Sequence, residues 1–327
     1  MHRANRTPLG IGLIGLGRHG SRYARHLLND VPEGRLTAVC RRHIHEGSGL
    51  PAGSTAACYA DYRELIADSR VDAVVIVTPP ALNREISLAV AAAGKPFLIE
   101  KPLAPTLDDA RAIASAAAQC GCIAMTAQTL RFDSAILDLI AHQKEVGELR
   151  YVSVASRMEP SAGSASGFNG RGCLMEIGVH VLDLVRVLTA DEVRQVSCEM
   201  DVVPPAGPEA RLLGRLTTRR GIPCLIDVSR VSWGRVGRVE LVGSEGQMAA
   251  DWCGHRVTRI SARHDSTDWS AGAEPTLVRT LRAFLQAIQA GVSPPVTMAD
   301  GLRAVEIAEA CYASAGQEGR IVFLEPN

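Results

Sequence analysis

The sequence predicts an α/β protein of two domains, a doubly wound parallel sheet followed by an α/β domain with a mostly antiparallel, open sheet. Three observations predict it. In the first half, short apolar, β-branched runs alternate with helical stretches, the pattern of βαβ units. After Gln128, strands follow one another with few helices between them, the pattern of antiparallel pairing. A chain of 327 residues exceeds one ordinary core and suits two domains.

Composition narrows the class. Hydrophobic residues make up 46% and charged residues 21%, as in a soluble globular protein, and no apolar run reaches membrane-spanning length. Net charge is zero, no basic block occurs, and aromatic residues are only 4%, so nucleic acid and anionic membrane surfaces are poor partners. The nine cysteines occur singly or as Cys120-Gly-Cys122, without zinc-ligand spacing, so the expectation is a reduced, cytoplasmic protein with no metal site. Met1 to Pro8 is polar and runs directly into a strand, which leaves no room for a signal peptide.

Leu9 to Gly20 reads as a short strand, then Gly15-x-Gly17-x-x-Gly20, then a helix from Ser21 to Leu28. In that context Gly15 makes a tight turn, Gly17 lets backbone approach a pyrophosphate, and Gly20 packs helix on strand, with Arg18 and His19 between them at the helix start. The competing reading is a glycine-rich turn in an unrelated α/β protein. The second strand, Leu36 to Cys40, ends at Arg41-Arg42, where a ribose-binding acid usually stands. A guanidinium cannot accept from a 2′-hydroxyl but can clamp a 2′-phosphate, which favours NADP over NAD. Two solvated arginines, with His43 and His45 following, are the plainer alternative.

Asp61 to Ala67 is helical in pattern, and Val71 to Thr78 is a buried strand closed by Thr78-Pro79-Pro80. A helix over Asn83 to Ala93 stops at Gly94, and Phe97-Leu98-Ile99 then forms a central strand that ends abruptly at Glu100-Lys101-Pro102. Open α/β sheets bind ligands beyond the carboxyl ends of their strands, where Lys101 stands, and Pro102 holds it out of the helical region. Lys95, Lys101 and Lys144 are the only lysines in a chain that otherwise uses arginine. A surface Glu100–Lys101 ion pair is the alternative. Thr106 begins a helix with Asp108 and Asp109 in its first turn, and Ile123 to Gln128 is a further strand.

In the second half a helix is expected over Asp133 to Val146. Strands follow at Leu149 to Arg157, Glu192 to Val202, Arg211 to Thr218, Cys224 to Val231 and Val236 to Val242, and helices at Thr276 to Ala290 and Ala299 to Ala315 close the chain. The helix Cys173 to Leu184 sits among the strands. It is apolar except for Glu176 and His180, which share a face, and Asp183 near it, so its ionisable groups are expected to line a cleft. Asp183 is a candidate to hold one tautomer of His180; a buried structural histidine is the alternative. Arg131, Arg157 and Arg171 are read as salt-bridging residues and none is named a ligand; an approach to the cleft, with a carboxylate or phosphate on the substrate, is the alternative.

Taken together, Ile11 to Gly20, Thr78-Pro79-Pro80, Glu100-Lys101-Pro102, Arg131-Phe132, Gly172 to Asp183, Val242-Gly243-Ser244-Glu245-Gly246 and the ending Ala283 through Val296 resemble the Gfo/Idh/MocA oxidoreductases. The resemblance implies a Rossmann domain over 1–126 that binds NAD(P) through Gly15, Gly17, Arg18, His19, Gly20, Arg41, Arg42, Thr78, Pro79, Glu100 and Lys101. It implies a substrate-binding and oligomerisation domain over 127–327, and a homodimer or homotetramer. Carried over, Lys101 and His180 match the family's catalytic lysine and histidine, and Glu176 stands where the family usually has aspartate. Asn83 replaces a histidine that often follows the Pro-Pro turn, and Arg41 the ribose-binding acid. The implied activity is hydride transfer between a nicotinamide and a sugar, cyclitol or related ketone. A hydrolase or lyase that works through transient oxidation, and a nucleotide-sensing regulator, are the alternatives.

Overall fold

The computed structural model describes residues 7–42, 50, 53–160, 168–202 and 207–325; His43 and His45 lie outside them. Cα positions divide the chain into two compact units, Met1–Ala127 with Leu277–Leu302, and Gln128–Thr276 with Arg303–Asn327.

In the first unit the elements run β1 (Leu9–Ile14), α1 (Arg18–Asn29), β2 (Gly34–Cys40), β3 (Ala57–Tyr59), α2 (Tyr62–Ala67), β4 (Ala73–Ile76), α3 (Asn83–Ala92), β5 (Phe97–Glu100), α4 (Leu107–Cys120) and β6 (Ala124–Ala127). The strands lie in the order β3-β2-β1-β4-β5-β6, and every pairing is parallel. β4, β5 and β6 are buried along their whole length, which is why they read as apolar runs rather than as alternating strands. Ile99 and Phe97 are fully buried, and truncating either to alanine is expected to cost roughly 3 kcal/mol or more. Chain direction across the sheet reverses between β1 and β4, the switch point at which such sheets bind ligands.

α4 is set at both ends by its sequence. The Thr106 hydroxyl accepts from the Asp109 N–H, and Gly121 takes the left-handed conformation that closes the helix. The turn at Gly121 brings Cys120 and Cys122 into a disulfide, so these two thiols depart from the expected reduced state. β3 has no counterpart in the sequence reading: three residues at a sheet edge carry too short a pattern.

The second unit begins with α5 (Ser134–His142), shorter than the expected helix because a 3₁₀ turn follows over Gln143–Val146. β7 (Leu149–Arg157), a π-helical turn (Leu174–Gly178) and α6 (Val179–Thr189) come next. Then follow β8 (Val193–Val202), β9 (Glu209–Thr218), β10 (Pro223–Ser229), β11 (Val236–Gly243), β12 (Gly246–Asp251), β13 (Arg256–Ser261) and β14 (Ser266–Ser270). α7 (Thr276–Ala290), which belongs to the first unit from Leu277 on, α8 (Met298–Ala315), which passes into the second unit at Arg303, and β15 (Val322–Phe323) end the chain. Nine strands form one sheet in the order β14-β13-β12-β11-β7-β10-β9-β8-β15, antiparallel throughout except for the β7–β10 pair.

Alternation along the central strands separates two faces. Val152, Val154, Leu212, Leu216, Cys224, Ile226, Val239 and Leu241 are buried on one, while Tyr151, Leu213 and Leu225 stay 37%, 40% and 49% exposed on the other. No helix among the described residues is long and apolar enough to cross a membrane.

Candidate active site

The first part of the site is the turn after β1. Gly15 has φ +99°, open to glycine at little cost, and a Cβ there would meet the Val77 carbonyl oxygen at 2.2 Å. A Cβ on Gly20 would stand 1.9 Å from the Gly15 carbonyl oxygen, so only glycine lets α1 start this close to the strand. Gly17 is different: nothing lies within 4 Å of where its Cβ would be. Gly17 is also the N-cap of α1 and supplies no side-chain cap, so the first N–H groups of the helix face outward with the positive end of its dipole. Beside this turn lies a cavity of about 550 Å³ lined by Gly15, Gly17, Arg41, Arg42, Thr78 and Pro79. Closed turn, bare backbone at Gly17, uncapped helix and adjoining cavity fit the pyrophosphate and adenosine of a dinucleotide. Glu85 lines the same cavity, but its carboxylate accepts from Tyr62 Oη and from Arg63.

Glu100 closes the turn from the other side. It is buried, and its Oε1 accepts from Tyr23 Oη at 2.6 Å and lies 2.8 Å from His19 Nε2. Burial opposes its charge, yet the His19 hydrogen bond, the charges of His19 and Lys101 and the Tyr23 hydrogen bond together hold its pKa below the ordinary value. Glu100 therefore pins the start of α1 to the end of β5, and the surface ion-pair reading fails for it.

Lys101 follows at the carboxyl edge of β5, half-buried, with a cis peptide to Pro102. Asn83, 1% exposed, steadies this loop: Nδ2 donates to the carbonyls of Pro102 at 3.1 Å and Leu103 at 3.2 Å, and Oδ1 accepts from Thr78 Oγ1 at 3.1 Å. The ends of β4 and β5 are thus tied by one amide. Lys95, by contrast, is spent on structure, donating to the carbonyls of Asp68 and Val71.

In the second unit Glu209 organises the helix that carries the remaining polar residues. Its buried carboxylate accepts from the N–H groups of Gly172 at 2.8 Å and Leu174 at 3.1 Å, and from Tyr312 Oη at 2.7 Å. This is an N-terminal cap delivered from another strand. The π-helical turn it starts holds Glu176, and α6 continues from it with His180 in its first turn. Single π turns of this kind are frequent at functional sites. Glu176 is gripped by Arg230, whose Nε and Nη2 each donate to one carboxylate oxygen. His180 Nδ1 lies 2.8 Å from Gln128 Oε1.

The Asp183 oxygens accept from Arg131 Nε at 2.6 Å and Nη2 at 2.5 Å, with Arg186 a further 3.6 Å neighbour, so this carboxylate is held by an arginine from another segment that helical spacing did not suggest. Arg157 pairs with Asp227 and Arg171 with Glu309, as salt-bridging residues.

Two family models cover the chain: the oxidoreductase family with an NAD-binding Rossmann fold matches residues 9–128, and the GFO/IDH/MocA C-terminal domain matches 136–249. The chain belongs to the GFO/IDH/MocA family. It is accordingly an oxidoreductase with an NAD-binding domain. It is 26% identical to an inositol 2-dehydrogenase of Rubrobacter xylanophilus over 99% of this chain and 96% of that protein. To a scyllo-inositol 2-dehydrogenase (NAD(+)) of Bacillus subtilis it is 25% identical over 90% of each. Among solved structures, GenD2 from gentamicin A biosynthesis in complex with NAD superposes with a TM-score of 0.85 at 26% identity, covering 100% of this chain and 99% of that one.

Within this GFO/IDH/MocA chain the expected residues fall into two groups. Gly15, Gly17, His19, Gly20, Arg41, Arg42, Thr78, Pro79, Glu100 and Lys101 belong to the first unit, with Arg18 exposed on the first turn of α1; Glu176 and His180 belong to the second. Sequence reasoning missed Gln128 and Arg230, and marked Asn83 only as a departure from the family pattern, without its ties to Thr78, Pro102 and Leu103. Gln128 had a usable signal, a polar residue just past the carboxyl end of a fully buried strand. Arg230 had none, because its role depends on contact with a helix more than fifty residues earlier.

Proposed function

We propose that the chain transfers a hydride between a nicotinamide cofactor, NADP(H) by preference, and a secondary alcohol or ketone of a cyclitol or sugar. The observation that carries the reading is the glycine turn, with its closed Gly15–Gly20 contact and bare Gly17 backbone. The substrate class follows the inositol dehydrogenases to which the chain is similar over nearly its whole length. The nicotinamide, when bound, supplies a hydride acceptor or donor.

The chain's own residues do the rest. Gly15, Gly17 and Gly20 shape the phosphate turn, with Arg18, His19, Thr78, Pro79 and Glu100 around it. Arg41 and Arg42 supply cations at the end of β2 for a 2′-phosphate. His180 takes the hydroxyl proton in oxidation, and the Lys101 ammonium stabilises the alkoxide charge as it develops. Glu176, held by Arg230, accepts from a substrate hydroxyl and so orients the ring. In this reading residues 1–126 bind cofactor and 127–327 bind substrate and partner. Seven free cysteines suit a reducing cytoplasm. The open face of the nine-stranded sheet joins subunits into a homodimer or homotetramer.

The test is a panel of cyclitols, sugars and keto-sugars assayed with both cofactors, alongside binding titrations. Charge-assisted hydrogen bonds contribute roughly 1.5 to 3 kcal/mol, so NADPH should bind about tenfold or more tightly than NADH, and Arg41→Asp should abolish the difference. Equal affinity in wild type would remove the NADP preference, and no turnover anywhere on the panel would remove the substrate class.

A further inference from the structure

We propose that Gln128 is a positioning residue that fixes the tautomer of His180, making Nε2 the nitrogen that receives the substrate proton. The inference rests on the role given to His180 above and deepens it.

Gln128 is 1% exposed, so its amide has to satisfy itself within the protein. It has two partners. Its Nε2 lies 3.5 Å from the Val179 carbonyl oxygen, and its Oε1 lies 2.8 Å from His180 Nδ1. The first contact sets the direction of the amide, because a carbonyl oxygen only accepts and therefore faces the NH₂ end. Reversing the amide would set two oxygens against each other. With NH₂ toward Val179, the oxygen faces His180. An amide oxygen also only accepts, so Nδ1 carries the proton, and in a neutral imidazole Nε2 then holds the lone pair.

Of the carboxylates on the same helix, Asp183 accepts from Arg131 Nε and Nη2, and Glu176 accepts from Arg230 Nε and Nη2. Gln128 also immediately follows β6, so the orienting oxygen stands on the end of a buried strand rather than on a loose loop. In the oxidation direction the substrate O–H bond breaks toward Nε2, forming an imidazolium whose Nδ1–H still donates to Gln128; a bound nicotinamide would be the acceptor for the hydride that leaves the carbon. A neutral amide fits this cycle, since it accepts from Nδ1–H in both charge states without stabilising the imidazolium so strongly that the proton would be retained.

The experiment is nitrogen-15 NMR of histidine-labelled full-length protein, with the His180 signals identified by their loss in His180→Asn. The wild type should show protonated Nδ1 and unprotonated Nε2 at a pH where the ring is neutral. Gln128→Leu should show both tautomers and lower kcat by about ten- to hundredfold with NADPH affinity within twofold, because a misplaced proton removes part of a general-base contribution of about 10² to 10⁴. Gln128→Glu, which restores an acceptor, should restore the single tautomer. Protonated Nε2 or an even mixture in wild type would overturn the proposal without any variant, and an unchanged tautomer in Gln128→Leu would overturn the part given to Gln128. If the tautomer results hold but His180→Ala keeps its turnover, the functional reading fails while the positioning stands.

Discussion

Arg230 closes on Glu176 with two parallel hydrogen bonds, Nε to one carboxylate oxygen and Nη2 to the other. Both side chains are largely withdrawn from water, at 15% and 18% exposure, and Arg230 Nη1 also donates to the Glu159 carbonyl. The fork fixes both carboxylate oxygens of Glu176 and so holds this long side chain in one orientation.

Removing one member leaves a half-buried charge, so Arg230→Leu should cost roughly 3 kcal/mol of stability. The measurement is urea unfolding with unchanged m. Glu176→Gln combined with Arg230→Leu should lose less than the sum of the single losses, whereas additivity would show that the pair is not coupled in solution.

The two outer roles of the glycine turn separate by mutation. Gly20→Ala forces a Cβ toward the Gly15 carbonyl at 1.9 Å and should lower the melting temperature by several degrees, about 2 kcal/mol or more. Gly17→Ala meets no protein atom and should leave stability within about 0.5 kcal/mol while weakening cofactor binding tenfold or more. Calorimetry and cofactor titration on the same two variants check this, and a reversed pattern would contradict the assigned roles.

Acid stability follows from carboxylates held below their ordinary pKa. Burial opposes the charge of Glu100 and Glu192, but His19 and Tyr23 hold the first and Arg186 and Arg303 the second, so both are depressed overall. A depressed carboxylate stabilises the fold above its unfolded pKa, about 4, and that contribution fades as pH falls through the folded value. Burial raises the Tyr23 pKa, followed by the charge and hydrogen bond of Glu100, so its contribution fades only in strong alkali. Glu100→Gln should therefore be less stable than wild type at pH 7, with the gap narrowing below about pH 4. Equal gaps at both pH values in denaturant titrations would rule out this linkage.

Much of the fold was legible because burial leaves a mark on composition. β4, β5 and β6 are buried on both faces and read as apolar runs, and the glycine spacing stood between a strand and a helix. β12, β13 and β14 escaped because strands such as Arg256–Ser261 and Ser266–Ser270 are short and polar at a sheet end. The π turn at Glu176 escaped because one widened turn leaves the apolar spacing of a short helix nearly unchanged. The Arg131 contact to Asp183 was not legible, since helical periodicity says nothing about an arginine arriving from residue 131. The Glu209 cap on the helix start was unreadable for the same reason.

The exposed sheet face bears on assembly. Tyr151, Leu213 and Leu225 stand on one side of the central strands, beside Arg215 and Glu240. Light scattering at micromolar concentration should give a dimer or tetramer of the 34.8 kDa chain, and Leu225→Arg should shift it toward monomer. A monomer in wild type would contradict the proposed assembly.

The most direct measurement of the catalytic account is turnover by Lys101→Ala, His180→Ala and the double variant, with cofactor affinity measured in parallel. Each single change should lower kcat by about 10² to 10⁴ with cofactor binding nearly intact, and the double variant should lose less than the product of the two. Lys101→Arg, which keeps the charge in a different shape, should fall well below wild type. Near wild-type turnover in Lys101→Ala or His180→Ala would contradict the account.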